Sequence, residues 1–205
     1  MRAEVAVARE LRGYLEALVA RLAGVTDLEA VYLVGSGVLG GWQPGASDVD
    51  VVAVTSRSLK LEERRAVVEA AESVPSPARK LELVVYPRGG DAWELNLNTG
   101  EHVSYDPAGE PAFWFVLDRA IAEQHAVALL GPAWSELFEP VPREAVLDAL
   151  AQALDWQERE EPTRRSSVLN AVRAWAWLET GAWLGKPAAA AWLRDRVRAA
   201  LEEER

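Results

Sequence analysis

Apolar residues along the chain follow two rhythms. Leu11, Leu15, Leu18 and Leu22 recur every three or four positions, the spacing that lines one face of an α-helix. Gly24 follows as a stop signal. The pattern then shifts to short apolar runs. AVYLV at 30–34 predicts a strand that breaks into Gly-Ser-Gly, SDVDVVAVT at 47–55 predicts a second, and KLELVVYPR at 80–88 a third. Between the first two lies SGVLGGWQPGAS, residues 36–47, so dense in Gly, Pro and Ser that it reads as a loop around one helical turn. A helix is expected over Leu61–Ser73, broken by Pro75 and Pro77. WELNLNTG and EHVSYDP, residues 93–107, predict a hairpin about Thr99-Gly100.

Beyond Pro111 helical spacing takes over. Helices are expected over Phe113–Leu130, Arg143–Trp156 and Ser166–Thr180, with a fourth after Lys186, where Pro187 suits a first helical turn. The fold class is therefore α+β. A mixed sheet with flanking helices precedes a small all-α bundle, dividing the chain into residues 1–137 and 138–205, with the boundary near Gly131–Pro142.

Composition narrows the function classes. With 205 residues and 50% apolar content the chain buries a sizeable core and is not disordered. Lys plus Arg total 22 against 32 Asp plus Glu, a net charge of −10, which argues against nucleic acid as a main partner. Without cysteine there is no disulfide framework and no thiolate metal site, and a cytoplasmic protein is the default expectation. The apolar runs are too short to span a membrane, and MRAEVAVARELRGYL alternates charged and apolar residues, unlike a secretory leader.

The chemistry concentrates in residues 34–54. Asp48 and Asp50 are two apart at the entry of an apolar strand, so both point to one face. Two carboxylates there repel each other and resist desolvation, and a divalent cation removes both problems. Hard oxygen ligands suit magnesium. Alone, such a triplet is more often a solvated turn. Gly35-Ser36 adds a strand end whose backbone and hydroxyl approach an anion closely. The glycine-rich connection matches neither G-x-x-x-x-G-K-[ST] nor G-x-G-x-x-G. It is the combination of Gly-Ser, a glycine loop and Ser-Asp-Val-Asp that presents phosphate-holding and metal-holding groups together.

This combination resembles the nucleotidyltransferase superfamily with the DNA-polymerase-β-like fold. Gly35-Ser36, Gly40-Gly41, Pro44 and Ser47-Asp48-Val49-Asp50, with residues 125–142 and 167–192, are similar to aminoglycoside O-adenylyltransferases of the streptomycin/spectinomycin type. The resemblance implies magnesium held by Asp48, Asp50 and Glu82, with Glu82, on the polar face of the third strand, as general base. It implies ATP held by Gly35, Ser36, Ser47 and Lys186, and AMP passed to a hydroxyl of an aminoglycoside-like small molecule. Arg173 is read equally as a phosphate contact or as the partner of a carboxylate. For a cationic acceptor the candidates are the aromatic platforms Trp93, Trp114 and Trp156 with Glu158 and Glu161, although WQEREEPTRRSS also reads as a solvated linker. Trp175 and Trp183 are expected in packing, and His102 and His125 in structural roles. ATP and the acceptor are the expected partners of a monomer or weak homo-oligomer. Two alternatives stay open: transfer of AMP to protein or RNA, and a non-enzymatic, antitoxin-like regulator.

Overall fold

The computed structural model describes residues 9–204. Residues 1–8, and with them half of the segment compared with a secretory leader, lie outside the described residues. Helix α1 (Arg9–Ala23) turns Leu11, Leu15, Leu18 and Leu22 onto the sheet, and all four are buried. Each contributes about 1.5–3 kcal/mol relative to an exposed side chain. Strand β1 (Leu28–Val34) leads into a single turn, α2 (Ser36–Leu39), followed by β2 (Val49–Thr55), α3 (Leu61–Glu72) and β3 (Leu81–Pro87). The expected hairpin forms from β4 (Leu95–Asn98) and β5 (His102–Ser104).

The six-stranded sheet is mixed, in the order β5-β4-β3-β2-β1-β6. β2 and β3 are parallel, joined by α3, and the other neighbouring pairs are antiparallel. Strand alternation gives the sheet two apolar faces. Val49, Val51, Ala53, Leu81, Leu83 and Val85 pack against α1 and α3. Tyr32, Val52, Val54 and Tyr86 face the other way and meet Ala122, Trp134 and Phe138.

The C-terminal part comprises α4 (Ala112–His125), β6 (Val127–Leu130), α5 (Trp134–Leu137), α6 (Arg143–Glu160), α7 (Arg165–Thr180) and α8 (Lys186–Glu203). The helix expected over Phe113–Leu130 is shorter than its apolar run. It stops at His125, and Val127–Leu130 forms an edge strand beside β1. An unbroken apolar run fits either element by periodicity, and the free edge of β1 decides it. α6 runs four residues further than expected, to Glu160. A third core joins Phe113 and Leu117 of α4 to Val146 and Leu150 of α6 and to Trp177 of α7. Gly181 ends α7 in the left-handed conformation, its N–H donating to the Trp177 carbonyl at 2.8 Å. Trp183 is buried as expected, whereas Trp175 is 43% exposed, its indole N–H donating to Glu179. Among the described residues no helix is long and apolar enough to cross a membrane.

Candidate active site

Two registers build the site. The antiparallel β1–β2 pair sets Val34 opposite Asp50, and the parallel β2–β3 pair sets Asp50 opposite Glu82. Both carboxylates thus leave the sheet on the face away from α1 and α3. The chain reverses at Gly35, with φ +62° and ψ −143°. A Cβ on Gly35 would lie 2.0 Å from Asp50 Oδ2, so the Asp50 carboxylate sits directly against the glycine backbone. A side chain here is barred by both the contact and the conformation.

These residues floor a cavity of about 510 Å³ between the sheet and the C-terminal helices. Of the residues singled out in the sequence, Gly35, Ser36, Ser47, Asp48, Asp50, Glu82, Trp114, Arg173 and Lys186 line it. Trp93, Trp156, Glu158 and Glu161 do not. Trp93 is 3% exposed and packs on Phe115 in the sheet core. Trp156 lies behind Trp114, edge-on at 5.4 Å. Glu158 is exposed on α6, and Glu161 ends that helix in an ion pair with Arg164. His125 is structural, bonded to the Trp183 carbonyl at 2.9 Å, and His102 pairs with Glu110.

The start of α8 is brought close by two more glycines. A Cβ on Gly41 would lie 2.6 Å from Pro187 Cγ, and one on Gly185 would lie 2.5 Å from the Leu39 carbonyl oxygen. The glycine loop and the start of α8 are therefore in direct contact, which brings Lys186 to the cavity that Ser36 also lines. Arg173 Nε donates to the Leu184 carbonyl at 2.7 Å and its Nη1 to Asn170 Oδ1 at 3.4 Å. It makes no ion pair within 4.0 Å among the described residues, yet the charges of Asp118 and Asp50 act on it.

The carboxylates are electrostatically crowded. The Asp50 carboxyl is pushed well above the usual carboxylate range, first by burial, then by Glu82, Asp118 and Asp48, and it shares a hydrogen bond with Glu82. Asp118 on α4 was not foreseen in the sequence. Burial raises it to about 7, Glu82 adds to this, and Arg173 opposes it. By solvent contact Asp50 is half-buried and Asp118 exposed. Both line the cavity, and the protein around its walls disfavours their charge. The one signal for Asp118 was an Asp-Arg pair inside the apolar run of α4, residues 113–122.

Asp48 stands one residue before β2 and lines the same cavity as Asp50. Its carboxylate accepts from Arg79 at 3.0 and 2.7 Å, while its carbonyl accepts from Ser36 Oγ at 3.4 Å and from Trp42 Nε1 at 3.1 Å. Glu82 pairs with Lys80 at 2.8 Å. Among the described residues no three such side chains are gathered as a ready metal cage. The donor set nevertheless fits magnesium, being all carboxylate oxygen, and the crowding around Asp50 is what a divalent cation relieves. The Arg79–Asp48 pair is half-exposed on the arginine side, and such pairs are worth about 0–1 kcal/mol, a weak competitor for Asp48.

The chain is 34% identical over 202 residues to an aminoglycoside (3'') (9) adenylyltransferase of Klebsiella pneumoniae, covering 84% of this chain and 73% of the relative. The chain belongs to the aminoglycoside adenylyltransferase family. The adenylyltransferase of Rhizobium radiobacter with the same description is also 34% identical, over 81% of this chain and 69% of that one. The family model for the aminoglycoside adenylyltransferase C-terminal domain matches residues 136–203, and that for the nucleotidyltransferase domain matches residues 11–99. A spectinomycin adenyltransferase of Enterococcus faecialis, solved with ATP and spectinomycin, shares the fold. Its TM-score is 0.64 at 17% identity, over 90% of this chain and 81% of that one. This adenylyltransferase is thus an enzyme of the nucleotidyltransferase class, with a mixed-sheet catalytic fold followed by helices.

Proposed function

We propose that this chain transfers AMP from ATP to a hydroxyl of an aminoglycoside-like small molecule, with magnesium as its metal and pyrophosphate as the leaving group. The observation that carries the reading is the in-register pair Asp50–Glu82, in a cavity whose lining also includes Lys186 and Arg173. Carboxylates and cations lining one cavity suit a reaction at the first phosphate of a triphosphate. In this reading residues 1–137 supply the carboxylates and residues 138–205 the cations, and use of ATP by a cysteine-free chain fits a cytoplasmic location.

Each residue then has a task. Lys186 and Arg173 bind the β- and γ-phosphates, together with Ser36 Oγ and the first-turn amides of α2. Ser47 Oγ accepts from the Gln43 amide at 3.0 Å and so holds the loop that bears Asp48. Asp48, Asp50 and Glu82 would hold magnesium, which when bound supplies positive charge to the phosphate oxygens. Glu82, half-open to the cavity, takes the proton of the acceptor hydroxyl. The hydroxyl oxygen bonds to the α-phosphorus as the bond to the β-phosphate oxygen breaks, and pyrophosphate departs toward Lys186.

The test is incubation with ATP, magnesium and a panel including streptomycin and spectinomycin, followed by mass spectrometry of the drugs and measurement of pyrophosphate. An adenylylated drug with equimolar pyrophosphate is expected. Pyrophosphate release only when a protein extract replaces the drugs, with label on protein, would overturn the acceptor class.

A further inference from the structure

The cavity has a second polar corner that phosphate binding does not use. Asp118 projects from α4 one turn beyond Trp114, so the two lie on one helix face. Both line the cavity, as does Gln157 of α6. Asp118 accepts no hydrogen bond and forms no ion pair among the described residues. Two arginines are candidate cations, and neither forms an ion pair with it within 4.0 Å. Arg173 is tied to the Leu184 carbonyl and Asn170. Arg119 lies over the Phe138 ring at 5.4 Å and reaches the Glu139 carbonyl. Gln157 is 5% exposed, and its side-chain amide likewise makes no hydrogen bond among the described residues. An exposed carboxylate beside an aromatic ring and a mostly buried residue with a free amide thus offer the cavity polar groups that no other described side chain takes.

The charges also exclude the nucleotide from this corner. Asp118 lies close enough to Glu82 for the two carboxylates to repel, so a triphosphate is driven toward Lys186. A cation is attracted to the same place, and an aromatic face beside a carboxylate is the recurrent way to hold one. Trp114 is itself braced by Phe113 at 4.8 Å and Trp156 at 5.4 Å, which fixes its plane.

We propose that Asp118, with Trp114 beside it and Gln157 across from it, holds an ammonium or guanidinium group of the acceptor and so sets its hydroxyl beside Glu82. This rests on the adenylyl-transfer reading and adds the residues that choose the acceptor. Asp118 and Trp114 attract the cation, and Gln157 donates to or accepts from a neighbouring hydroxyl.

The test measures calorimetric affinity for streptomycin, spectinomycin and magnesium-ATP in the full chain, in Asp118→Asn and in Asp118→Glu. Asn keeps the shape and removes the charge. The loss of one charge-assisted hydrogen bond is expected to weaken drug binding about tenfold or more, with ATP affinity undiminished and partial recovery in Asp118→Glu. In turnover the drug KM should rise while kcat changes little. Drug binding by Asp118→Asn equal to that of the unaltered chain, no drug binding by either, or a parallel loss of ATP affinity would each overturn the proposal. Absence of AMP transfer despite charge-dependent drug binding would instead overturn the adenylyl-transfer reading and leave the cation site standing.

Discussion

Gly35→Ala is the sharpest single perturbation of the site, because one methyl group meets two separate obstacles. The backbone at Gly35 has φ +62° and ψ −143°, a region that side chains avoid at about 1–3 kcal/mol. The new carbon would lie 2.0 Å from Asp50 Oδ2, 2.5 Å from its Cγ and 3.0 Å from its Cβ, whereas non-bonded carbons rest at about 3.5–4.0 Å. Asp50 must leave its rotamer by more than an ångström, at about 0.5–1.5 kcal/mol. The sum, about 1.5–4.5 kcal/mol, lowers Tm by roughly 3–18 °C for a chain of this size. Gly100→Ala is the control. Gly100 has φ +77° in the β4–β5 turn, with open space where its Cβ would go, so it keeps only the conformational cost of about 1–2 kcal/mol. Urea unfolding of Gly35→Ala, Asp50→Ala and the double variant completes the cycle. Removing the carboxylate should return about 1 kcal/mol of the Gly35→Ala loss, because the clash is with the group deleted. Additive losses, or a Gly35→Ala chain as stable as Gly100→Ala, would refute the reasoning that Asp50 is seated on the glycine.

Other consequences follow from the same crowding. Asp50→Asn should raise Tm of the metal-free chain, since a half-buried carboxyl pressed by Glu82, Asp118 and Asp48 is replaced by a neutral amide. Added magnesium should raise Tm of the unaltered chain but not of this variant. The pH dependence of stability has a definite sign. Asp118 has a folded-state pKa of about 7 against 3.8 unperturbed, so the folded chain binds more protons between those values. Its contribution is present below pH 3.8 and is lost as pH rises to about 7. Thermal melts of metal-free Asp118→Asn should therefore show a flatter fall over that window than the unaltered chain. An identical slope in the two would show that Asp118 titrates normally.

Much of the floor of the site was legible in the sequence, because strand alternation is local. Asp50 and Glu82 are the polar positions in otherwise apolar runs, and the parallel register then sets them side by side. Gly35-Ser36 was legible for a related reason, since only glycine tolerates such a reversal. What escaped depends on contacts between distant elements. Asp118 reaches Glu82 only because α4 packs over the sheet, and Arg79 takes Asp48 only because the start of β3 lies beside that of β2. The edge strand Val127–Leu130 was read as helix because its partner β1 is about a hundred residues earlier. Trp93, with the composition of a cation platform, fills the space between sheet and helices, the usual fate of an indole. Glu158 and Glu161 are the residue types a cationic acceptor needs, but α6 and its end turn them away from the cavity.

The most direct test of Asp50 and Glu82 as the reacting centre is drug adenylylation followed by mass spectrometry in the unaltered chain, Asp50→Asn and Glu82→Gln, each first shown to be folded by its melting transition. The expected result is AMP on the drug with the unaltered chain and a loss of about a hundredfold or more in kcat with either variant, while drug affinity is kept. Full turnover by a folded Asp50→Asn or Glu82→Gln chain would contradict the assignment of this carboxylate pair to the chemistry.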